Sequence, residues 1–242
     1  MSGIDWVTAF LDTDEARAGE VERFWCAVSG STPSSRRGDR QEFVTLLPPD
    51  GEPFLRAQTV VQSPPGGLHL DLHTTDVPAL AARAEQLGAT ASYHELGYVV
   101  LGSPGGLTFC VVAGGAGHRP GPVSWPEGRS LVDQVCLDVP PSRFDAELGF
   151  WQRLTGWPEI EPDLAEFARL ARGDGLPLQL LLQRLDEEQP VVTAHLDLAC
   201  DDRAAEVARH ERLGAAVVRR TDGWTTLRDP SGREYCVTDR VC

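Results

Sequence analysis

The residues able to do chemistry fall in short alternating strings. His69-Leu70-Asp71-Leu72-His73 and His195-Leu196-Asp197-Leu198 alternate polar with apolar side chains, the period of a strand with one buried face. His69, Asp71 and His73 then share one face, as do His195, Asp197 and Ala199, while the leucines turn to the core. Imidazole titrates near neutral pH, which makes His69 and His195 candidate general acid/base groups or ligand donors. Their plainer role is as strand histidines bonded to a neighbouring strand or to Asp71 and Asp197. Two more strings, Thr108-Phe109-Cys110-Val111 and Glu234-Tyr235-Cys236-Val237, put Cys110 and Cys236 on the polar side with the aromatics in the core. Both thiols read first as small buried residues rather than nucleophiles. Tyr98 and Trp224 are candidate aromatic walls for an organic ligand. Arg228 would either clamp an anionic ligand or pair outward on the surface. His73 and His94 have no counterpart in the later string, and surface placement is favoured for both. Trp25 and Trp151 fall on apolar helix faces and are expected in the core.

These strings repeat at a constant offset of 126 residues. Without gaps, 69–112 and 195–238 share 18 identities in 44 positions, a density that marks duplication. Leu87-Gly88-Ala89 recurs as Leu213-Gly214-Ala215, and Phe24-Trp25 as Phe150-Trp151. The stretch between the copies, 114–128, is rich in glycine and proline and reads as a linker. The expected division is therefore 1–113, a linker over 114–128, and 129–242. The elements that must position the polar strings repeat too. Each copy reads as strand, helix and two strand-like runs (41–47 and 53–61; 166–171 and 177–184), followed by strand, helix and three short strands. Asp76 and Asp202 are expected N-caps, with Gly88 and Gly214 just past the helix ends. The underlying unit is βαβββ, four times over, in an α+β chain.

Composition narrows the chemistry. Among 242 residues there is no lysine and no asparagine, so all 22 basic residues are arginine. Schiff-base chemistry and a Walker-type phosphate loop are excluded. A formal charge of −14 and no basic run longer than two arginines argue against nucleic-acid or anionic-membrane partners. That charge favours a cationic or neutral ligand. The six cysteines show no CxxC spacing, and no apolar stretch approaches a membrane span. With no signal-peptide pattern at the start, a reducing cytoplasm is the expected location.

The fourfold βαβββ pattern carries an FW pair near the end of the first helix and HLDL on a strand. Its last strand follows Asp229-Pro230-Ser231-Gly232-Arg233-Glu234-Tyr235-Cys236. It resembles the vicinal oxygen chelate superfamily, which includes bleomycin-resistance proteins and dioxygenases, and more closely its glyoxalase-like members. The resemblance implies two tandem domains with curved mixed sheets. Metal-dependent members hold a divalent ion with a His or Gln on a first strand, a His at the position of His69 or His195, and a last-strand Glu. Here that Glu is replaced by Cys110 and Cys236, and the first loop departs from the pattern as Ser103-Pro104-Gly105-Gly106. The resemblance therefore implies binding of a small organic molecule, an antibiotic or metabolite, in a cup-shaped cavity without the usual metal triad. His69 and His195 would act there, with Asp71, His73, Tyr98, Cys110, Asp197, Trp224, Arg228 and Cys236 lining it. No cofactor is expected. The rival is a metal-dependent lyase, isomerase or dioxygenase using His195, Asp133 or Gln134, and Cys236, or a metal-free enzyme with His as acid/base. The chain is expected to work as a monomer or homodimer.

Overall fold

A computed structural model describes residues 3–63, 65–160 and 164–242. Four βαβββ modules follow one another. The first is β1 (Trp6–Asp14), α1 (Ala18–Ser29), β2 (Thr32–Pro33), β3 (Phe43–Leu47) and β4 (Leu55–Val60). The second is β5 (Leu68–Thr74), α2 (Val77–Gln86), β6 (Thr90–Glu95), β7 (Tyr98–Gly102) and β8 (Thr108–Ala113). A short strand β9 (Val123–Trp125) precedes the third, made of β10 (Gly128–Val139), α3 (Phe144–Thr155), β11 (Glu159–Ile160), β12 (Phe167–Leu170) and β13 (Gln179–Arg184). The fourth is β14 (Thr193–Cys200), α4 (Arg203–Arg212), β15 (Ala216–Arg220), β16 (Trp224–Arg228) and β17 (Glu234–Thr238).

The strands form two mixed sheets, ordered β2-β3-β4-β1-β5-β8-β7-β6 and β11-β12-β13-β10-β14-β17-β16-β15, with β9 added beside β10. This is the expected α+β fold with curved mixed sheets. The duplication extends to detail. β5 pairs in parallel with β8, aligning Asp71 with Cys110, and β14 with β17, aligning Asp197 with Cys236. A register shift between Ala91 and Tyr93 recurs between Val217 and Arg219. Asp76 and Asp202 cap α2 and α4, accepting from Ala79 and Ala205 N–H at 3.1 and 3.0 Å. Gly88 and Gly214, both at φ 107°, follow those helices in the left-handed region that glycine tolerates.

Backbone contacts cluster into two compact units, one of residues 1–9, 68–118 and 135–194, the other of 10–67, 119–134 and 195–242. In the first unit, Phe150 and Trp151 of α3 meet Phe109 of β8 with ring centroids 5.8 and 5.2 Å apart. In the second, Phe24 and Trp25 of α1 meet Tyr235 of β17 at 5.9 and 5.1 Å. The same helix-on-last-strand aromatic trio thus anchors each core. Both tryptophans are fully buried, as their helix faces predict.

Candidate polar site on the strand faces

In the second unit, β14 and β17 bring three donors together. His195 Nε2, Asp197 Oδ1 and Cys236 Sγ lie within 4.8 Å of one another. The strand period explains the convergence. Leu196 and Leu198 turn fully into the core, while Asp197 and Cys236 are neighbours across the parallel ladder on the opposite face. His195 Nε2 stands 3.4 Å from Asp197 Oδ1 and 3.6 Å from Cys236 Sγ, and Thr226 Oγ1 stands 3.5 Å from the same sulfur.

Asp197 is the best-supported member. Gln134 Nε2 donates to its Oδ2 at 2.5 Å, and Arg240 Nη1 stands 3.8 Å from that oxygen. Burial alone would push this carboxyl up. His195, Arg240 and the Gln134 amide outweigh that and hold it below the usual carboxylate range. Its other oxygen, Oδ1, is buried and receives no hydrogen bond among the described residues. Asp133 is paired with Arg240. Of the first-strand ligand candidates, Asp133 is thus drawn to a guanidinium, and Gln134 donates to Asp197 through its nitrogen.

The first unit repeats the trio as His69, Asp71 and Cys110, again within 4.8 Å, with His69 Nε2 3.7 Å from Asp71 Oδ1. Its surroundings differ. Thr8 takes the place of Gln134 at the 126-residue offset, and its hydroxyl bonds His73 Nε2 at 2.9 Å. His73 is buried, against the surface placement expected of it, because it points to the same interior face as His69. His94 is exposed, as expected.

Tyr98 and Arg228 make their described bonds away from these trios. Tyr98 is half-buried and donates to Glu95 at 3.2 Å, with Tyr93 beside it at a ring separation of 5.6 Å. Trp224 is half-buried on β16. Arg228 is exposed and pairs outward with Glu234 at 2.6 Å, the surface alternative considered for it. Sequence reasoning missed Arg240, which follows the last strand and whose role appears only once β17 is laid beside β14.

Sequence reasoning also misses a buried carboxylate beside each of the core tryptophans Trp25 and Trp151. In the second unit, Trp25 Nε1 donates to Asp229 Oδ2 at 2.9 Å, and Asp229 Oδ1 accepts from Ser231 and Arg233 N–H. In the first, where Ser103 replaces that aspartate, Glu147 of α3 supplies the carboxylate. It accepts from Trp151 Nε1 and Ser103 Oγ, both at 2.8 Å, and from Gly105 N–H. The departure of the first loop from the family pattern is therefore a relocation of the acid, not a loss of it. The offset shows the trade, since Val21 stands in α1 where Glu147 stands in α3.

Two βαβββ pairs with a histidine-bearing strand beside the last strand define a vicinal oxygen chelate fold. A family model described as "Glyoxalase-like domain" matches residues 8–112 and again 134–238, and the chain belongs to that family, with two domains in tandem. Solved structures agree in fold. A Mn(II)-bound glyoxalase from Novosphingobium aromaticivorans is 15% identical at a TM-score of 0.68, covering 100% of this chain and 85% of that one. An extradiol ring-cleaving dioxygenase from B. fuscum is 12% identical at 0.65, covering 100% and 73%. A mutant 4-hydroxymandelate synthase from Streptomyces coelicolor is 16% identical at 0.58, covering 100% and 94%. A search of curated protein sequences finds no match.

The donor set here does not fit the hard ions that such metal-dependent folds imply. Manganese and non-haem iron(II) favour carboxylate and imidazole. Beside His195 and Asp197 this chain offers a thiol at the last-strand position, where those ions favour a carboxylate, with Asp133 turned to an arginine and Gln134 using its amide nitrogen.

Proposed function

We propose that the protein binds a small organic molecule, a metabolite or an antibiotic, at the polar face built by β14 and β17. It does so without the carboxylate metal triad of its metal-dependent relatives, and the chain acts as a monomer or homodimer. The observation that carries this reading is the buried Asp197, fixed on one side by Gln134 and presenting its second oxygen beside His195 and Cys236. Its Oδ1 meets His195 at 3.4 Å in a loose ion pair and makes no well-aligned hydrogen bond, so a donor on a bound group would complete its pairing. A cationic or hydrogen-bond-donating ligand supplies that pairing, in keeping with the net charge of −14. His195 and Cys236 orient the ligand, with Trp224 as a candidate aromatic wall.

The test is a thermal-shift panel of cationic and neutral aromatic metabolites on chelator-treated protein. Ligands that bind the native state raise its melting temperature. At least one class should do so in the wild type and fail to do so in Asp197→Asn, provided that variant stays folded by circular dichroism. A panel that leaves the wild type unmoved removes the reading.

A further inference from the structure

The two sheets end in sister hairpins whose exposed side chains have opposite character. β6 is the last strand of one sheet and β15 of the other, and neither pairs on its outer side among the described residues. We infer that these edges are the two halves of a contact between copies of this chain, in which the β15 edge of one copy docks on the β6–β7 hairpin of another.

The 126-residue offset sets Arg219 against Tyr93, Arg220 against His94 and Asp222 against Leu96. The same register shift recurs in both hairpins, so matching backbones carry these opposed side chains. On the first hairpin, the Tyr93 and Tyr98 hydroxyls both donate to Glu95 Oε2, at 2.7 and 3.2 Å, with the rings 5.6 Å apart. Tyr93 stays 49% exposed, and Leu96 at the turn is fully exposed. A carboxylate steadied by two tyrosines beside an apolar turn receives guanidinium groups through its charge and through the ring faces.

β15 supplies those groups. Arg219 and Arg220 are exposed and make no side-chain hydrogen bond or ion pair among the described residues. The exposed Arg36, Arg129, Arg212 and Arg228, by contrast, each have a carboxylate partner. A chain of net charge −14 repels its own copies at long range. An adhesive contact therefore needs a local reversal of sign, which this arginine pair provides. The same charges select the pairing. β15 on β15 would gather the arginines of both copies, and β6 on β6 would oppose two Glu95 carboxylates, whereas β15 on β6 satisfies both. The bulge in each strand interrupts a continuous backbone ladder, so side chains lead the contact. Tyrosine and arginine are the residue types that most often anchor an interface.

Each copy carries one edge of each kind, so reciprocal contacts close a dimer and a non-closing contact builds longer assemblies. Sedimentation of the full-length protein in reducing buffer, from micromolar to submillimolar concentration, should show reversible self-association. Glu95→Arg, and separately Arg219→Glu/Arg220→Glu, should each weaken it by roughly tenfold or more, with circular dichroism unchanged. An equimolar mixture of those two proteins should associate again, because the first keeps its β15 edge and the second its β6 hairpin. Leu96→Ser leaves every charge in place and should also weaken association. A single-chain mass throughout the range, undiminished association in any of these variants, or a mixture that stays dissociated overturns the head-to-tail contact.

Discussion

Single residues divide into those that face the polar site and those that hold it from behind. The facing set was legible because alternation with period two fixes a side chain's face, and His195, Asp197 and Cys236 meet as that rule requires. The supporting set was not. Gln134 and Arg240 lie 63 and 43 residues from Asp197 in sequence, and only strand pairing joins them. A second hidden group lies in the core of the same unit. Glu206 bonds Arg209 and His210, Arg209 donates to the Ala27 and Val28 carbonyls at the end of α1, and His210 bonds the Tyr235 hydroxyl. Burial would raise the Glu206 carboxyl, but Arg209 and His210 bring it down to about 2. A carboxyl lowered in the folded state stabilises above its unfolded pKa of about 4.3 and loses that contribution as pH falls through the folded value. Glu206→Gln should therefore destabilise the protein by about 3 kcal/mol at pH 7, since it strands a buried arginine. Urea titrations of both proteins should show the gap narrowing below about pH 4 and closing near pH 2. A gap that stays constant with pH would rule out this account of Glu206.

Elements were readable where they were long and periodic, and unreadable where only an edge pairing defines them. Helices α1 to α4, and the capping aspartates and following glycines of α2 and α4, follow from pattern. The two-residue strands β2 and β11 do not, because each exists only through a ladder to β3 or β12 and two residues carry no period. β9 was hidden for a similar reason. It pairs with β10 inside a stretch whose glycine and proline content reads as linker. The helix-to-loop carboxylates carry the sharpest element-scale prediction. Glu147→Val leaves the Trp151 indole, the Ser103 hydroxyl and the Gly105 amide without their buried acceptor, at a cost of about 3 kcal/mol. Ser103→Asp in that background recreates the pattern of Asp229 and Val21, and should recover most of the loss. Ser103→Asp alone places two carboxylates together and should destabilise. Chemical denaturation of the four proteins gives the coupling directly, and simple additivity would show that the two acids are not interchangeable.

At the scale of the whole chain, duplication explains both the regularity and the asymmetry. Four modules keep one topology, the second and fourth share a bulge position and each unit holds the same aromatic trio, yet the two polar trios differ. The first has His73 bonded to Thr8, and the second has Gln134 and Arg240 around Asp197. Fold was readable from the repeat alone, because eighteen matched positions constrain every element around them. Function was not, because one fold hosts many reactions. No helix among the described residues is long and apolar enough to cross a membrane. The most direct test of the central claim is calorimetric titration of the best stabilising ligand from the panel into metal-stripped wild type, His195→Ala and His94→Ala. The account predicts one-to-one binding in the wild type, at least tenfold weaker binding in His195→Ala, and no change in His94→Ala, whose side chain lies on the exposed β6 edge. Undiminished affinity in His195→Ala would place the ligand elsewhere and contradict the assignment of this face as the binding site.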